Sequence, residues 1–108
     1  MKKINGKNKF GFWQNQPYKA VTDEYDDFIK FKNSIDKKVV IEHIESLGAW
    51  LSSTRSHDIF TGEEFNSGFY EDGNFQFPVD FLRYYKAKDI GIPYEYEEYL
   101  KGILEQAS

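Results

Sequence analysis

The amino-acid sequence predicts a small α+β domain in which helices pack on one face of a three-stranded antiparallel meander. Three observations lead to this prediction. Residues 22–47 space their apolar side chains as helices do, the next segment alternates around turn-forming glycines, and helical spacing returns after Pro78. A chain of 108 residues fits a single domain, 1–108, with one core. Because 19% of the residues are aromatic, we expect Phe, Tyr and Trp to build most of that core.

The N-terminal region is expected to lie outside the regular elements. Residues 1–9 are predicted to form a basic tail that can be flexible, and its charge comes from Lys2, Lys3, Lys7 and Lys9. Residues 10–20 are predicted to be irregular or strand-like, because Gly11 and Pro17 break their partial alternation. Three aromatic residues are expected to tie this segment to the core: Phe10, Phe12 and Trp13.

Two helices are predicted in the first half of the chain. The first spans residues 22–34, with Thr22 as N-cap, acidic residues in its first turns and lysines near its end. The second spans residues 37–47; Asp36 caps it and Gly48 ends it. The β-branched run in the first turns of the second helix leaves a strand start open as an alternative.

The meander is predicted between residues 49 and 78. Its first strand covers residues 49–55, and a turn follows at Thr61 and Gly62. Asp72 and Gly73 lie between two apolar runs and predict a two-residue hairpin loop, because both residue types tolerate positive φ. That loop would align two pairs whose side chains share one face: Tyr70 with Phe75, and Gly68 with Phe77.

Two further helices are predicted to complete the domain. Pro78 can serve as the first residue of one of them, and Gly91 stops it. Pro93 begins the last helix, "YEYEEYLKGILEQA". The residues expected to point inward from this last helix are Tyr96, Tyr99, Leu100, Ile103 and Leu104.

The composition excludes several classes of site. The chain has no cysteine, so a disulfide scaffold, a thiolate zinc site and a cysteine nucleophile are excluded. No apolar run approaches the roughly 20 residues of a membrane helix. The basic start is not followed by the apolar region of a signal peptide. We therefore expect a cytoplasmic protein, which the absence of cysteine also fits.

The sequence shows no recognisable catalytic or metal-binding pattern. His43 has no second ligand at helical metal-binding spacing, and the glycines lack the spacing of a phosphate-binding loop. The segment 52–58 contains hydroxyl, imidazole and carboxylate groups, but adjacent residues on a strand point to opposite faces. We therefore predict no cofactor, no metal and no enzymatic activity. A small enzyme that uses His57 with Asp58 or Glu64 remains an alternative.

Two segments combine carboxylates with aromatic side chains. Residues 58–72 carry five carboxylates without a lysine or arginine, and "YEYEEYL" carries three beside three tyrosines. Tyr is enriched at protein–protein hot spots, and carboxylates speed association with basic partners. The candidate partner-binding residues are Asp58, Glu63, Glu64, Glu71, Asp72, Tyr94, Glu95, Glu97 and Glu98. The alternative is that the acids serve solubility and the tyrosines are half-buried helix residues.

The charge distribution favours a protein partner over nucleic acid or an anionic membrane. Since the net charge is −4 and the first nine residues carry +4, the remaining 99 residues carry −8. The basic cluster of the tail has aromatic neighbours, but these are expected to be used in packing. Direct binding to nucleic acid is therefore not expected.

The C-terminal half, roughly residues 49–100, resembles small immunity proteins of bacterial toxin–immunity systems, including contact-dependent growth inhibition. The resemblance lies in "GAWLSSTRSHDIFTGEEF", "YEDGNFQFPVDFLRYY" and "DIGIPYEYEEYL". It implies a cytoplasmic, non-catalytic inhibitor that binds one cognate toxin domain, often a nuclease. We expect a monomer in a 1:1 complex.

This resemblance leads to a hypothesis for the acidic segment. The Asp72-Gly73 tip and the Glu63-Glu64 turn would present carboxylates to a basic toxin surface, while Tyr70, Phe75 and Phe77 fix the fold. The alternative from another class is a phage- or mobile-element-type protein, such as an anti-restriction protein, that mimics DNA with its acidic face.

Overall fold

Five strands and four helices make up the part of the chain that the computed structural model describes, residues 1–13 and 21–106. The strands are β1 (Lys2–Ile4), β2 (Lys7–Lys9), β3 (Trp50–His57), β4 (Glu64–Asp72) and β5 (Phe75–Pro78). The helices are α1 (Tyr25–Ile29), α2 (Lys37–Leu47), α3 (Val79–Ala87) and α4 (Tyr94–Gln106). The predicted α+β class is confirmed. The sheet, however, has five strands in the order β1-β2-β5-β4-β3 and is mixed, where three antiparallel strands were predicted.

The first nine residues form a β-hairpin and not the predicted tail. Asn5 and Gly6 connect β1 to β2 with φ values of 52° and 79°, the left-handed conformation that a two-residue hairpin turn requires. β2 then runs parallel to β5, with Asn8 opposite Phe75, and the Asn8 N–H donates to the Asn74 carbonyl at 2.7 Å. This hairpin therefore adds two strands to the sheet beyond β5.

Strands β3, β4 and β5 form the predicted antiparallel meander, but its hairpin register differs by two residues. Asp72 lies opposite Phe75, and Tyr70 lies opposite Phe77. The loop is therefore Gly73 and Asn74, with φ of 59° at Gly73, as the first central residue of a type II′ turn requires. Because a shift of two residues preserves side-chain direction, Tyr70 and Phe77 still share a face.

Helix α1 covers only part of the predicted 22–34 segment. Glu24 is its N-cap residue and forms a capping box with Asp27, whereas Thr22 accepts the Phe12 N–H at 3.2 Å. The chain leaves the helix after Ile29 because the segment that follows has other hydrogen-bond partners. The backbone N–H groups of residues 34 and 35 donate to a carboxylate of α4.

The other three helices agree closely with the sequence patterns. Helix α2 spans the predicted residues, and the Asp36 side chain accepts the Lys38 N–H at 2.9 Å. Gly48 follows it with φ of 74°. Helix α3 begins one residue later than predicted, since Pro78 is the last residue of β5 and the N-cap of the helix. It ends at Ala87, before the predicted stop at Gly91. Helix α4 begins directly after Pro93.

Aromatic rings form the core, as predicted, and Phe10 lies at its centre. Phe10 is fully buried; its ring centroid lies 4.8 Å from that of Phe77 and 5.2 Å from that of Phe81. Phe12 is also buried, so this segment is tied to the core. The rest of the segment predicted as irregular, 14–20, lies outside the described residues.

The pairing of β3 with β4 contains an irregularity, and the side of β4 that points toward the helices differs before and after it. The pairing register shifts between Leu51 and Arg55 of β3, while Ser67 is the single β4 residue between their partners. Ser67 and Gly68 are both buried, although adjacent strand residues point to opposite faces. Phe65 contacts Arg83 of α3, whereas Asp72, which has the opposite parity, accepts hydrogen bonds from α2 and α4. The two halves of β4 therefore turn opposite faces toward the helices, as the added twist of a bulge allows.

Candidate interaction site

The loop that joins β3 to β4, residues 58–63 (the β3–β4 loop), is closed by its own hydrogen bonds. The Asp58 carboxylate accepts the N–H groups of Phe60 and Thr61 at 2.7 and 3.0 Å. The Asp58 N–H donates to the Glu63 carbonyl, and the Gly62 N–H donates to the Asp58 carbonyl, both at 2.8 Å. The loop therefore has a defined shape at the sheet edge.

Arg83 of α3 anchors the β3–β4 loop from outside. Its guanidinium donates to Asp58 and to Glu63, each at 2.9 Å, and lies 4.7 Å from the Phe65 ring centroid. The hydrogen bond from Arg83 lowers the pKa of Asp58 to about 2, and the two loop N–H groups assist. The segment 58–72 has no lysine or arginine of its own, and Arg83 of α3 partly neutralises its carboxylates.

Tyr84 supplies a second anchor for the same loop. Its hydroxyl accepts the Ile59 N–H at 2.9 Å, and burial raises its pKa to about 12. The Tyr84 ring also contacts Phe60, with 5.7 Å between centroids. Two side chains from adjacent positions of α3 therefore hold the loop.

The outer surface of the β3–β4 loop combines apolar and acidic groups. Ile59 and Phe60 remain 42% and 52% exposed. Glu63 is exposed on the same loop, and Glu64 is exposed at the start of β4. His57 Nε2 lies 3.0 Å from Glu64 Oε1. The Lys88 ammonium lies 4.5 Å from the Phe60 ring centroid, so one lysine also borders the pair. A fixed apolar pair beside exposed carboxylates is the arrangement that a basic protein surface with an apolar centre would complement.

Asp72 is not presented at a hairpin tip, as the hypothesis expected. It is 6% exposed, and its carboxylate accepts hydrogen bonds from His43 Nε2 and the Tyr96 hydroxyl at 2.8 Å each. The Tyr99 hydroxyl donates to its other oxygen at 3.1 Å. Burial, followed by the nearby Asp72 carboxylate, raises the pKa of both tyrosines. Asp72 therefore ties α2 and α4 to the sheet.

Glu97 is likewise an internal residue. Its carboxylate accepts the N–H groups of Ser34 and Ile35 at 2.7 and 3.1 Å and the Asn33 amide at 3.1 Å. Burial opposes its ionisation, but these hydrogen bonds and nearby Lys101 outweigh burial and hold its pKa below the ordinary value. Glu97 thus fixes the chain between α1 and α2.

The nine candidate residues therefore separate into three groups. The exposed ones are Glu63, Glu64, Glu71, Tyr94, Glu95 and Glu98. Asp58 lies partly buried beneath its loop, and Asp72 and Glu97 are buried. Among the tyrosines of the last helix, Tyr94 is 47% exposed, and its hydroxyl accepts the Lys32 N–H at 3.2 Å.

The two histidines form separate pairs with carboxylates. His57 pairs with Glu64, and both partners are exposed. Among the described residues, no group of three or more His, Asp or Glu side chains is arranged to hold a metal ion. One cleft of about 230 Å³ lies between the segment after α1 and the α3–α4 connection, and neither histidine lines it.

Sequence reasoning missed an exposed apolar pair on β3. Trp50 and Leu51 are 65% and 66% exposed, the highest values among the large apolar side chains of the described residues. The strand itself was predicted from residue type. Its position at the edge of the sheet depends on strand order, for which a local pattern carries no signal.

No family model matches the chain, and comparisons with curated proteins and with solved structures also give no match. None of the described helices is both long enough and apolar enough to cross a membrane.

Proposed function

We propose that this chain is a non-catalytic, cytoplasmic immunity protein that neutralises a cognate bacterial toxin domain by binding it in a 1:1 complex. The observation that carries the proposal is the β3–β4 loop, which exposes Ile59 and Phe60 beside the carboxylates of Glu63 and Glu64. The resemblance to immunity proteins of contact-dependent growth inhibition systems supports the same conclusion. The partner surface would be basic, as in the substrate-binding cleft of a nuclease.

The rigidity of the loop supports a role in tight binding. Ordering a flexible loop on association costs free energy, and a loop that is already ordered avoids this cost. Here Asp58 closes the loop from within, while Arg83 and Tyr84 fix it from α3. The loop can therefore present its apolar pair in one arrangement to the toxin.

The exposed charges support fast association and choice of partner. Glu64 is more than half exposed, as is Glu63, although Arg83 contacts one oxygen of Glu63. Exposed carboxylates steer a basic partner toward the loop, and desolvation of Phe60 then supplies affinity. Asp72 and Glu97 take no part in this contact, since both are buried.

The proposal can be tested with tagged protein as bait in lysate of the source organism. We expect one stoichiometric partner with a basic domain at moderate salt, identified by mass spectrometry. That domain, expressed alone in a heterologous host, should arrest growth, and co-expression of this chain should restore growth. Reversal of two charges, Glu63→Lys with Glu64→Lys, should slow association at least tenfold at low salt.

The control is Glu42→Lys, which reverses one exposed charge on α2, outside the β3–β4 loop. It should retain the wild-type association rate, and thermal unfolding should show that all variants are folded. Association that is insensitive to the Glu63 and Glu64 reversals would exclude this loop as the binding surface. Capture of many DNA-binding proteins, in place of one partner, would favour the DNA-mimic alternative.

A further inference from the structure

The sheet has a second face, and strand register identifies the residues on it. Residues directly opposite each other on paired strands share a face. Lys2 lies opposite Lys9, Lys9 opposite Gln76, and Gln76 opposite Glu71. Together with the neighbouring positions of the same parity, these residues define a surface that we call the open face: Lys2, Ile4, Lys7, Lys9, Glu71, Gln76, Phe69, Pro78 and Trp50. Pro78, at the end of β5, is fully buried.

The helices pack against the face of the sheet opposite to the open face. Phe77 and Phe75, which alternate with Gln76, contact Phe81 of α3 and Tyr96 of α4, respectively. Asp72, which adjoins Glu71, accepts hydrogen bonds from α2 and α4. The open face therefore points away from the aromatic core.

The open face is basic on one side, although the protein as a whole is acidic. Lys2, Lys7 and Lys9 all lie on it, and the Lys7 ammonium donates to the Gly73 carbonyl at 3.2 Å. Lys3 lies on the opposite side of the same hairpin. Among the described residues of the open face, Glu71 is the one carboxylate, and it accepts the Gln76 amide at 3.3 Å. Three lysines thus face one carboxylate.

Aromatic side chains occupy the other side of the open face. Trp50 lies opposite Phe69 in the register and is 65% exposed, while Phe69 is half-buried. Four strand spacings of about 4.8 Å separate β1 from β3, which gives roughly 19 Å from the first lysine strand to the tryptophan. Sheets of comparable width stack two or three bases of a single strand on their aromatic residues.

We propose that the open face binds single-stranded nucleic acid, with phosphates on Lys2, Lys7 and Lys9 and a base stacked on Trp50. Lysines that follow a backbone and an exposed aromatic ring are the two components of sequence-independent single-strand binding. Binding to nucleic acid was not expected from the sequence, because residues 10–108 are acidic and the aromatic neighbours of the lysines were expected to be used in packing. Phe10 is indeed buried, but Trp50 comes from a distant part of the chain and remains exposed.

This inference is independent of the proposed function, because it uses a different surface. The test is fluorescence anisotropy of a labelled 12-nucleotide oligouridylate between 50 and 200 mM salt. Because three lysines contact phosphates, the slope of log K against log salt should be about −2. Lys2→Gln should reduce that slope by about 0.7, and Trp50→Ala should weaken binding about tenfold at every salt concentration.

The chain offers a matched control for each change. Lys3→Gln removes the same charge from the opposite side of the hairpin, and Tyr94→Ala removes an exposed ring from α4; both should bind like wild type. Glu71→Gln should strengthen binding a few-fold, because it removes the carboxylate from the face. The Glu63 and Glu64 reversals should leave oligonucleotide binding unchanged.

Three results would overturn the inference. One is the absence of binding at 50 mM salt, including the case in which an acidic protein binds instead. Another is an equal loss for Lys2→Gln and Lys3→Gln. The third is equal affinity for a duplex of the same length, because a duplex does not expose its bases for stacking.

Discussion

Asp72 is a single residue whose loss is expected to destabilise the whole fold. Its buried carboxylate accepts hydrogen bonds from His43, Tyr96 and Tyr99. Asp72→Ala would leave these donors without their acceptor, so we expect the free energy of unfolding to fall by about 3 kcal/mol. Urea denaturation monitored by tryptophan fluorescence measures this change.

The neighbouring residue provides the control for that measurement. Glu71→Ala, at an exposed position, should change the free energy of unfolding by about 0.5 kcal/mol or less. Tyr99→Phe removes one of the three donors and should cost about 1 kcal/mol. If Asp72→Ala were as mild as Glu71→Ala, the carboxylate would not hold α2 and α4 on the sheet.

The same residues show how far a candidate site can be predicted from local sequence. Glu63 and Glu64 lie in a turn that the sequence indicates, and both are exposed. Asp72 and Glu97 belong to equally acidic segments but are buried. Their partners His43 and Asn33 lie 29 and 64 positions away in the chain, so a local pattern contains no signal for either contact.

At the level of elements, the N-terminal hairpin depends on its two-residue turn. Gly6 has φ of 79° and open space where a Cβ would lie, so Gly6→Ala adds backbone strain without a steric clash. We expect a loss of about 1 kcal/mol in the free energy of unfolding. Faster amide exchange at Asn8, whose N–H donates to the carbonyl of Asn74 directly before β5, should accompany it.

Gly102 is the matched control, because the same substitution there should have the opposite sign. It lies within α4 with open space around it, and alanine is the better helix former. Gly102→Ala should therefore raise the free energy of unfolding by about 0.5–1 kcal/mol. A loss of stability in both variants would show that the turn conformation of Gly6 is not what matters.

The elements also differ in how well their sequences predict them. Helix α2 has its cap, its apolar stripe and its terminal glycine within one short segment, and its predicted bounds are confirmed. The hairpin of β1 and β2 had an equally local signal in Asn5-Gly6, but the surrounding lysines were interpreted as a tail. Its parallel pairing with β5, in contrast, depends on residues 67 positions apart, such as Asn8 and Phe75.

For the whole molecule, the charge distribution has two sides. The exposed carboxylates of Glu63 and Glu64 lie at one edge of the sheet, whereas the lysines of the open face lie at the other. The net charge of −4 conceals this separation. The two proposed partners, a basic protein and a single-stranded nucleic acid, would therefore bind separate surfaces.

The stability of the whole molecule should depend on pH through the carboxylates that bind the helices and loops together. The pKa of Asp58 in the folded protein is about 2, below its ordinary value of 3.8, because Arg83 donates to it. The stabilisation is complete above about pH 4 and is lost as pH falls toward 2, when the folded state must take up the proton. The pKa of Glu97 is also lowered, so acidification should reduce the free energy of unfolding through Glu97 as well.

A double-mutant cycle isolates the contribution of Asp58. We expect the urea midpoint of the wild type to decrease as the pH is lowered from 4 to 2. The decrease should be smaller in Asp58→Asn. Arg83→Gln should also make the urea midpoint less dependent on pH between 4 and 2, because it removes the main cause of the pKa shift of Asp58. The double variant should add little beyond either single change, since both remove one interaction. Parallel midpoint curves for Asp58→Asn and wild type would show that this pair does not couple protonation to folding.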